Sequence, residues 1–159
     1  MDAKVKKLLG LNKVKYNLVS HRKVYTAFNS AETQHANVKQ VVKTVLIKLS
    51  KAVPFGLTTT DAILVCVPSG KRLDLKKISK ATKATAKIGK EKDIEKKLKT
   101  KVRLLHPFGS IFKLPVLLDN KLSKNKKLLV SAGSYTESLE INTKDYLKLE
   151  NPILGSFSE

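Results

Sequence analysis

Apolar residues recur along this chain at two spacings, and the spacing changes wherever Gly, Pro or Ser interrupts it. Val5, Leu8 and Leu9 fall at helical spacing within residues 3–9, and residues 14–19 then read as extended. Ser30-Ala31-Glu32 carries the start signal of a short helix. Residues 41–49 and 61–67 are strand candidates around Pro54-Phe55-Gly56, a combination that predicts a hairpin. After Pro68-Ser69-Gly70, residues 73–82 place Leu75, Ile78 and Ala81 on one helical face, with Asp74 suited to the N-terminal end. Residues 84–88 form a weaker strand signal, and 92–99, rich in both charges, an exposed helix. Residues 115–118 and 127–130 are short apolar strands, and Asn142 or Thr143 can cap a last helix through Leu149. Residues 151–159 read as an irregular tail, so the pattern predicts one domain over 1–150. Hairpins mixed with helical connections predict an α/β (mixed α+β) fold, a mixed and largely antiparallel sheet surrounded by helices, with a cleft where strand ends and loops converge.

A length of 159 residues with 42% hydrophobic content suits a single core. The first residues lack the apolar stretch of a secretory signal, and no apolar run approaches the roughly 18 residues that span a bilayer. The expectation is a soluble, cytoplasmic protein with no membrane partner. The single cysteine, Cys66, lies in the run Ala62-Ile63-Leu64-Val65-Cys66-Val67 and is expected to be a buried, inert thiol. His21, His35 and His106 have no ligand spacing and no cysteine cluster beside them, so no metal and no cofactor are expected. Neither a phosphate-binding glycine pattern nor Gly-x-Ser-x-Gly occurs. Charge changes the picture more. Lys and Arg total 32 against 13 acidic residues, a net charge of +19. Solubility alone needs a magnitude of only about 2 to 8, so a polyanion, nucleic acid first of all, is the expected partner.

Candidate chemistry sits in three places. Strand alternation over 41–49 sets Val41, Lys43, Val45, Ile47 and Leu49 on one face, so a single ammonium interrupts an otherwise apolar surface. Lys43 then either meets an anion or a cleft that uses its charge, or it snorkels to water at the strand's end. His106-Pro107-Phe108-Gly109-Ser110 and Ser131-Ala132-Gly133-Ser134 are loops in which Gly permits close approach. They read either as backbone N–H donors for an oxyanion or ribose, or as ordinary turns after a strand.

The order of these segments resembles the YbaK/EbsC family of free-standing aminoacyl-tRNA deacylases, related to the editing domain inserted in bacterial prolyl-tRNA synthetases. The resemblance rests on Val24-Tyr25-Thr26-Ala27, Val42-Lys43-Thr44-Val45-Leu46, and the run from Ala62 to Pro68 followed by Arg72-Leu73-Asp74-Leu75-Lys76-Lys77. It continues through Pro107-Phe108-Gly109, Leu114-Pro115-Val116-Leu117-Leu118-Asp119, and Ala132-Gly133-Ser134 leading into Leu139-Glu140-Ile141. It implies the YbaK-type fold and a cleft for the aminoacylated 3′ end of tRNA, with ester hydrolysis by water and no metal or covalent nucleophile. Lys43 matches the family's functional lysine. Tyr25, Arg103, His106, Phe108, Gly109, Gly133, Ser134 and Ser138 fall on positions implied to contact substrate. Two of these depart from the usual pattern: Arg103 stands where many members carry Gly, and Ser138 where many carry His or Asp. Trans-editing of mischarged tRNA, with a synthetase as a further partner, is the first reading. A silent tRNA-binding module and a ribosomal or chromatin-type basic protein are the others.

Overall fold

A computed structural model describes residues 1–20 and 38–159. Ser30-Ala31-Glu32, Tyr25, His21 and His35 lie outside the described residues. The first helix, α1 (Ala3–Leu11), begins at Asp2, whose carboxylate accepts from the N–H groups of Lys4 and Val5 at 2.8 and 3.2 Å. Those are donors a helix cannot satisfy itself. One turn apart, Val5 and Leu9 are both buried.

After β1 (Tyr16–Ser20), the hairpin forms from β2 (Val42–Phe55) and β3 (Thr58–Pro68). Its turn is Gly56-Leu57, where Gly56 at φ 63° fills the left-handed position of a two-residue turn. The strand expected to stop at residue 49 continues across a bulge, with the six residues from Lys48 to Val53 set against the three from Ala62 to Thr60. Next comes α2 (Leu75–Thr82), capped by Asp74, which accepts from the Lys77 N–H at 3.1 Å. Ala81 does not share the buried face: it is exposed, and Thr82 takes the inward position by bonding its hydroxyl to the Ile78 carbonyl at 2.8 Å.

There follow β4 (Ala86–Ile88), α3 (Glu91–Leu98), the short α4 (Gly109–Phe112), β5 (Val116–Asp119), α5 (Asn120–Ser123), β6 (Lys127–Ser131), β7 (Glu137–Asn142), α6 (Thr143–Glu150) and β8 (Ile153–Gly155). One sheet has the order β1-β7-β6, all antiparallel. The other has the order β4-β2-β3-β5-β8, with β5 parallel to both neighbours. The fold is therefore the expected mixed α+β type. One side of the second sheet packs Val42, Leu46, Leu64 and Cys66 against Leu128, Val130, Leu139, Ile141, Phe108 and Tyr146. On its other side, Ile47, Ile63, Val65 and Val67 pack with Ile78 of α2 and Phe157. Cys66 is wholly buried, and burial pushes its thiol up to about 12, so it is inert as expected.

Residues 151–159 are not irregular throughout. β8 extends the sheet, and Phe157 and Ser158 are buried. The cause is Asp119 at the end of β5. Its buried carboxylate accepts from the N–H of Phe157 at 2.8 Å, the hydroxyl of Ser158 at 2.9 Å and the N–H of Lys121 at 2.8 Å. Burial alone would raise its pKa, but these hydrogen bonds and the Lys121 charge outweigh burial and hold it below the ordinary carboxylate value. A depressed folded pKa gives stability that is present above about pH 4 and is lost as pH falls through the folded value. Asp119→Ala leaves buried donors unsatisfied and should lower stability at pH 7 by about 3 kcal/mol, read as a shift in urea midpoint. An unshifted midpoint would show that other contacts hold the C-terminal segment.

Candidate active site

The two sheets meet where Val41, just before β2, forms a parallel bridge with Leu129 of β6. Side chains of directly paired residues share a face. The face carrying Val41 and Lys43 therefore continues onto Leu129 and Ser131 of β6, and through the Ser131–Ser138 and Val19–Ser138 pairs onto β7 and β1. The opposite side agrees, since Val42 and Leu46 share one core with Leu128, Val130, Leu139 and Ile141. Lys43 and Ser138, 95 positions apart in sequence, are thus brought onto one continuous surface.

Lys43 pairs with Val67 across the hairpin, so its stem lies along an apolar face, and its Nζ donates to the carbonyl of Lys71 at 3.0 Å. The side chain is half-buried, and loss of hydration lowers its pKa from the ordinary lysine value. Both sequence-based options are met in part: the stem snorkels, and the ammonium ends on a neutral acceptor and forms no ion pair among the described residues. The Lys71 carbonyl is placed by the C-terminal segment. Glu159 N–H donates to Arg72 O at 2.9 Å, Asp74 N–H to Phe157 O at 2.9 Å, and Lys77 Nζ to Ser158 O at 2.9 Å.

The 106–110 loop is clamped from α6. Tyr146 donates its hydroxyl to the Pro107 carbonyl at 2.6 Å. One helical turn further on, Glu150 accepts from the N–H and hydroxyl of Ser110 at 2.8 and 2.7 Å. Burial raises the Glu150 pKa, partly opposed by the two Ser110 bonds. His106 is buried, stacks on Phe112 at 4.6 Å, and accepts the Phe108 N–H at Nδ1, 3.3 Å away. Phe108 itself is a core side chain. Gly109 has a packing reason to be glycine, since a Cβ there would sit 2.5 Å from both the Leu114 carbonyl oxygen and a Val116 methyl.

Gly133, at φ 72°, leads out of β6. A Cβ on it would fall 2.5 Å from Asp2 Cβ and 3.5 Å from the His106 ring, so the two glycine loops adjoin each other and the start of α1. Its N–H donates to Ser131 Oγ at 3.2 Å, and the Thr136 N–H to Ser134 Oγ at 3.1 Å. The sequence suggested that these loops offer free N–H donors. In the structure the Phe108 and Gly133 N–H groups are taken by neighbouring side chains, because a buried amide without a partner is costly. Ser134 is half-exposed, Ser138 buried, and Arg103 exposed on a short turn at Val102–Leu104. Sequence reasoning passed over the Lys71 carbonyl, Asp2 and Ser131 as neighbours of these groups. Asp2 reaches Gly133 across 131 positions, for which no local pattern gives a signal.

Among the described residues, no group of three or more His, Cys, Asp or Glu is arranged to hold a metal ion, and no helix is long and apolar enough to cross a membrane. Residues 21–149 match the aminoacyl-tRNA editing domain. The chain belongs to the aminoacyl-tRNA editing domain family. No curated protein matches it. Solved structures similar to this editing-domain chain include the hypothetical protein APE2540, with TM-score 0.85, 16% identity, and 98% and 99% of the two chains covered. Another is a candidate trans-editing enzyme for prolyl tRNA synthetase, with TM-score 0.80, 19% identity, and 100% and 99% covered. At these identities the likeness is one of fold.

In this editing-domain chain His106 joins the two loops, and its protonation can be followed. Burial lowers its pKa to about 4, opposed by the nearby Asp2 charge. The unfolded chain binds this proton near pH 6.5 and the folded chain only near 4, so stability is constant above about pH 6.5 and falls as pH drops between the two values. The expected loss is roughly 3 kcal/mol across that window. His106→Gln should remove that slope in urea titrations between about pH 7 and 4.5. A slope identical in the variant would assign the acid sensitivity to other groups.

Proposed function

We propose that the chain hydrolyses the ester joining a wrongly attached amino acid to the 3′-terminal ribose of a tRNA. The observation that carries this reading is Lys43, an ammonium on an apolar strand face held by a carbonyl, in a chain of the editing-domain family. A neutral acceptor leaves the positive charge available to an incoming anion, and low local polarity strengthens that interaction. In the proposed step a water oxygen attacks the ester carbonyl carbon and a tetrahedral oxyanion forms. The bond to the ribose oxygen then breaks, a proton passes to that oxygen, and a free amino acid and a tRNA with a free hydroxyl leave. Lys43, the catalytic residue of this proposal, holds the terminal phosphate or the ester oxygen as charge develops.

Substrate contacts are assigned to Tyr25, Arg103, Gly133, Ser134 and Ser138, with His106, Phe108 and Gly109 acting through the loop they shape. Ser138, small and neutral, suits a different amino-acid side chain from the one a His or Asp there would hold, since pocket contacts act on relative kcat/KM. The reading puts the protein in the cytoplasm with the tRNA pool, with a synthetase as a further partner and no metal or covalent nucleophile. A second reading, tRNA binding without turnover, is favoured by the occupied N–H groups of Phe108 and Gly133, which leave fewer donors for an oxyanion.

Incubation with tRNAs charged with Ala, Cys, Ser, Thr and Pro, following ester loss, separates the two readings. In the substrate that turns over, Lys43→Ala should lose at least about a hundredfold in rate, the scale of one preorganised electrostatic contact. Its thermal midpoint should stay or rise, because removing a half-buried charge relieves desolvation. Full activity in Lys43→Ala would overturn the assignment.

A further inference from the structure

Two eight-residue helices of this protein match position for position. α2 (Leu75–Thr82) and α3 (Glu91–Leu98) each bury an isoleucine at the fourth residue, Ile78 and Ile94, and each ends on a lysine in the left-handed conformation, Lys83 at φ 59° and Lys99 at φ 54°. Both carry lysine at the second and sixth residues: Lys76 and Lys80, Lys92 and Lys96. Between these, however, α3 places Glu91, Asp93 and Glu95, whereas α2 has Leu75, Lys77 and Ser79. The α3 region is laced with ion pairs, Lys48–Asp93 at 3.4 Å, Lys97–Asp61 at 3.5 Å and Lys101–Glu95 at 3.0 Å. Among the described residues, Lys71, Arg72, Lys76, Lys80 and Lys83 form no ion pair and are exposed; Lys92, Lys96 and Lys99 likewise form none, but the acids at 91, 93 and 95 stand between and beside them.

The geometry of α2 makes these charges a stripe. At about 100° per residue, Lys76, Lys80 and Lys83 fall within roughly 60° of one another, away from the buried side of Ile78 and Thr82, and span about 10 Å. The N-terminal end of α2 adjoins the candidate site, since Asp74 caps the helix three residues after the carbonyl of Lys71 that receives Lys43. Its C-terminal end leads to β4, whose Ala86 pairs with Leu49. The stripe therefore starts beside Lys43 and runs along the same face of the sheet in the direction of β2. A duplex offers one phosphate per strand about every 3.4 Å of axis, so this length faces about three.

We propose that the Lys76–Lys80–Lys83 stripe of α2, continued by Lys71 and Arg72, is the surface that takes the phosphate backbone of an RNA duplex whose single-stranded end enters at Lys43. This rests on the deacylase reading for the identity of that end. The stripe itself stands on charge and geometry: a row of cations without interleaved acids on one helix, where the matching row of the sister helix α3 is interleaved with acids.

The sister helix supplies the control. Lys76→Gln/Lys80→Gln/Lys83→Gln and Lys92→Gln/Lys96→Gln/Lys99→Gln remove equal charge at equivalent, exposed positions. Both are compared with the unaltered protein for binding to an unmodified tRNA transcript and to an acceptor-stem minihelix with a single-stranded 3′ end. Three phosphate contacts account for about fortyfold of the affinity lost between about 50 and 200 mM salt. The α2 variant should lose that share, its log–log salt slope falling by about 2 to 3 units, while the α3 variant keeps the original slope. Hydrolysis of a short single-stranded 3′ fragment carrying the same ester should be unchanged in both. Equal losses in the two variants, or an unchanged slope in the α2 variant, would overturn the stripe. Selective loss of binding in the α2 variant, with no charged tRNA hydrolysed by any form of the protein, would uphold the stripe and remove the deacylase reading. Hydrolysis of charged tRNA at the original rate by the α2 variant, with its slope intact, would do the reverse.

Discussion

One parallel bridge, Val41 to Leu129, decides which residues of this protein can act together. Without it there would be a three-stranded and a five-stranded sheet with unrelated faces. With it, every strand alternation is tied to two common faces, and a slip of one residue in β2 would exchange Lys43 and Val42 between them, setting the ammonium among Leu46, Leu64 and Cys66. The core enforces the register: Val42, Leu46, Leu64 and Cys66 on one side, Val45, Ile47, Val65 and Val67 on the other. Lys43 keeps to the face on which its ammonium reaches the Lys71 carbonyl, because burying it without a partner would cost more than any apolar neighbour gains.

Around this seam, buried polar groups fix the loops, and each holds a segment distant in sequence. Asp119 holds residues 157 and 158, which hold 72–74 and through them the Lys71 carbonyl. Tyr146 and Glu150 hold 107 and 110 from adjacent turns of α6. The Asp119 bonds to residues 157 and 158 and the Tyr146 bond lie in a low-dielectric interior where an unmade partner is expensive, so they specify conformation more sharply than apolar packing alone. The geometry around Lys43 thus depends on groups that never touch it.

Elements with their own local signal were legible in the sequence: α1 through Val5 and Leu9, α2 through Asp74 and Ile78, and the hairpin through its apolar runs and Gly56. Ala81 was placed inward by spacing alone, but Thr82 could satisfy its hydroxyl within the helix and so took that position. The alternation of Leu139 and Ile141 with Ser138 and Glu140 is a strand signal for β7 that went unused, six residues being easily read as a loop beside Gly133. β8 had no such signal. Ile153 and Leu154 are both exposed, and the strand exists because Asp119 draws the following residues onto the sheet. The face of Lys43 was readable from period-2 alternation, whereas its union with Ser138 was not, because a parallel bridge between distant strands leaves no local trace.

The two loop glycines and the strand lysine differ as evidence about activity. Gly109 faces a carbonyl oxygen and a methyl at 2.5 Å, and Gly133 combines a left-handed φ with the close approach of Asp2. Packing alone requires both, so each would be retained in a protein of this fold that catalysed nothing. Lys43 is the opposite case. Its neighbours Val45, Val67 and Ile47 would accept a valine or isoleucine there with better burial, and the Lys71 carbonyl it meets lies at an exposed loop that water could satisfy. Stability therefore gives little account of a lysine at this position. A charge that the fold does not need, on a face it shares with Ser138, is the ground on which this surface is proposed as the site.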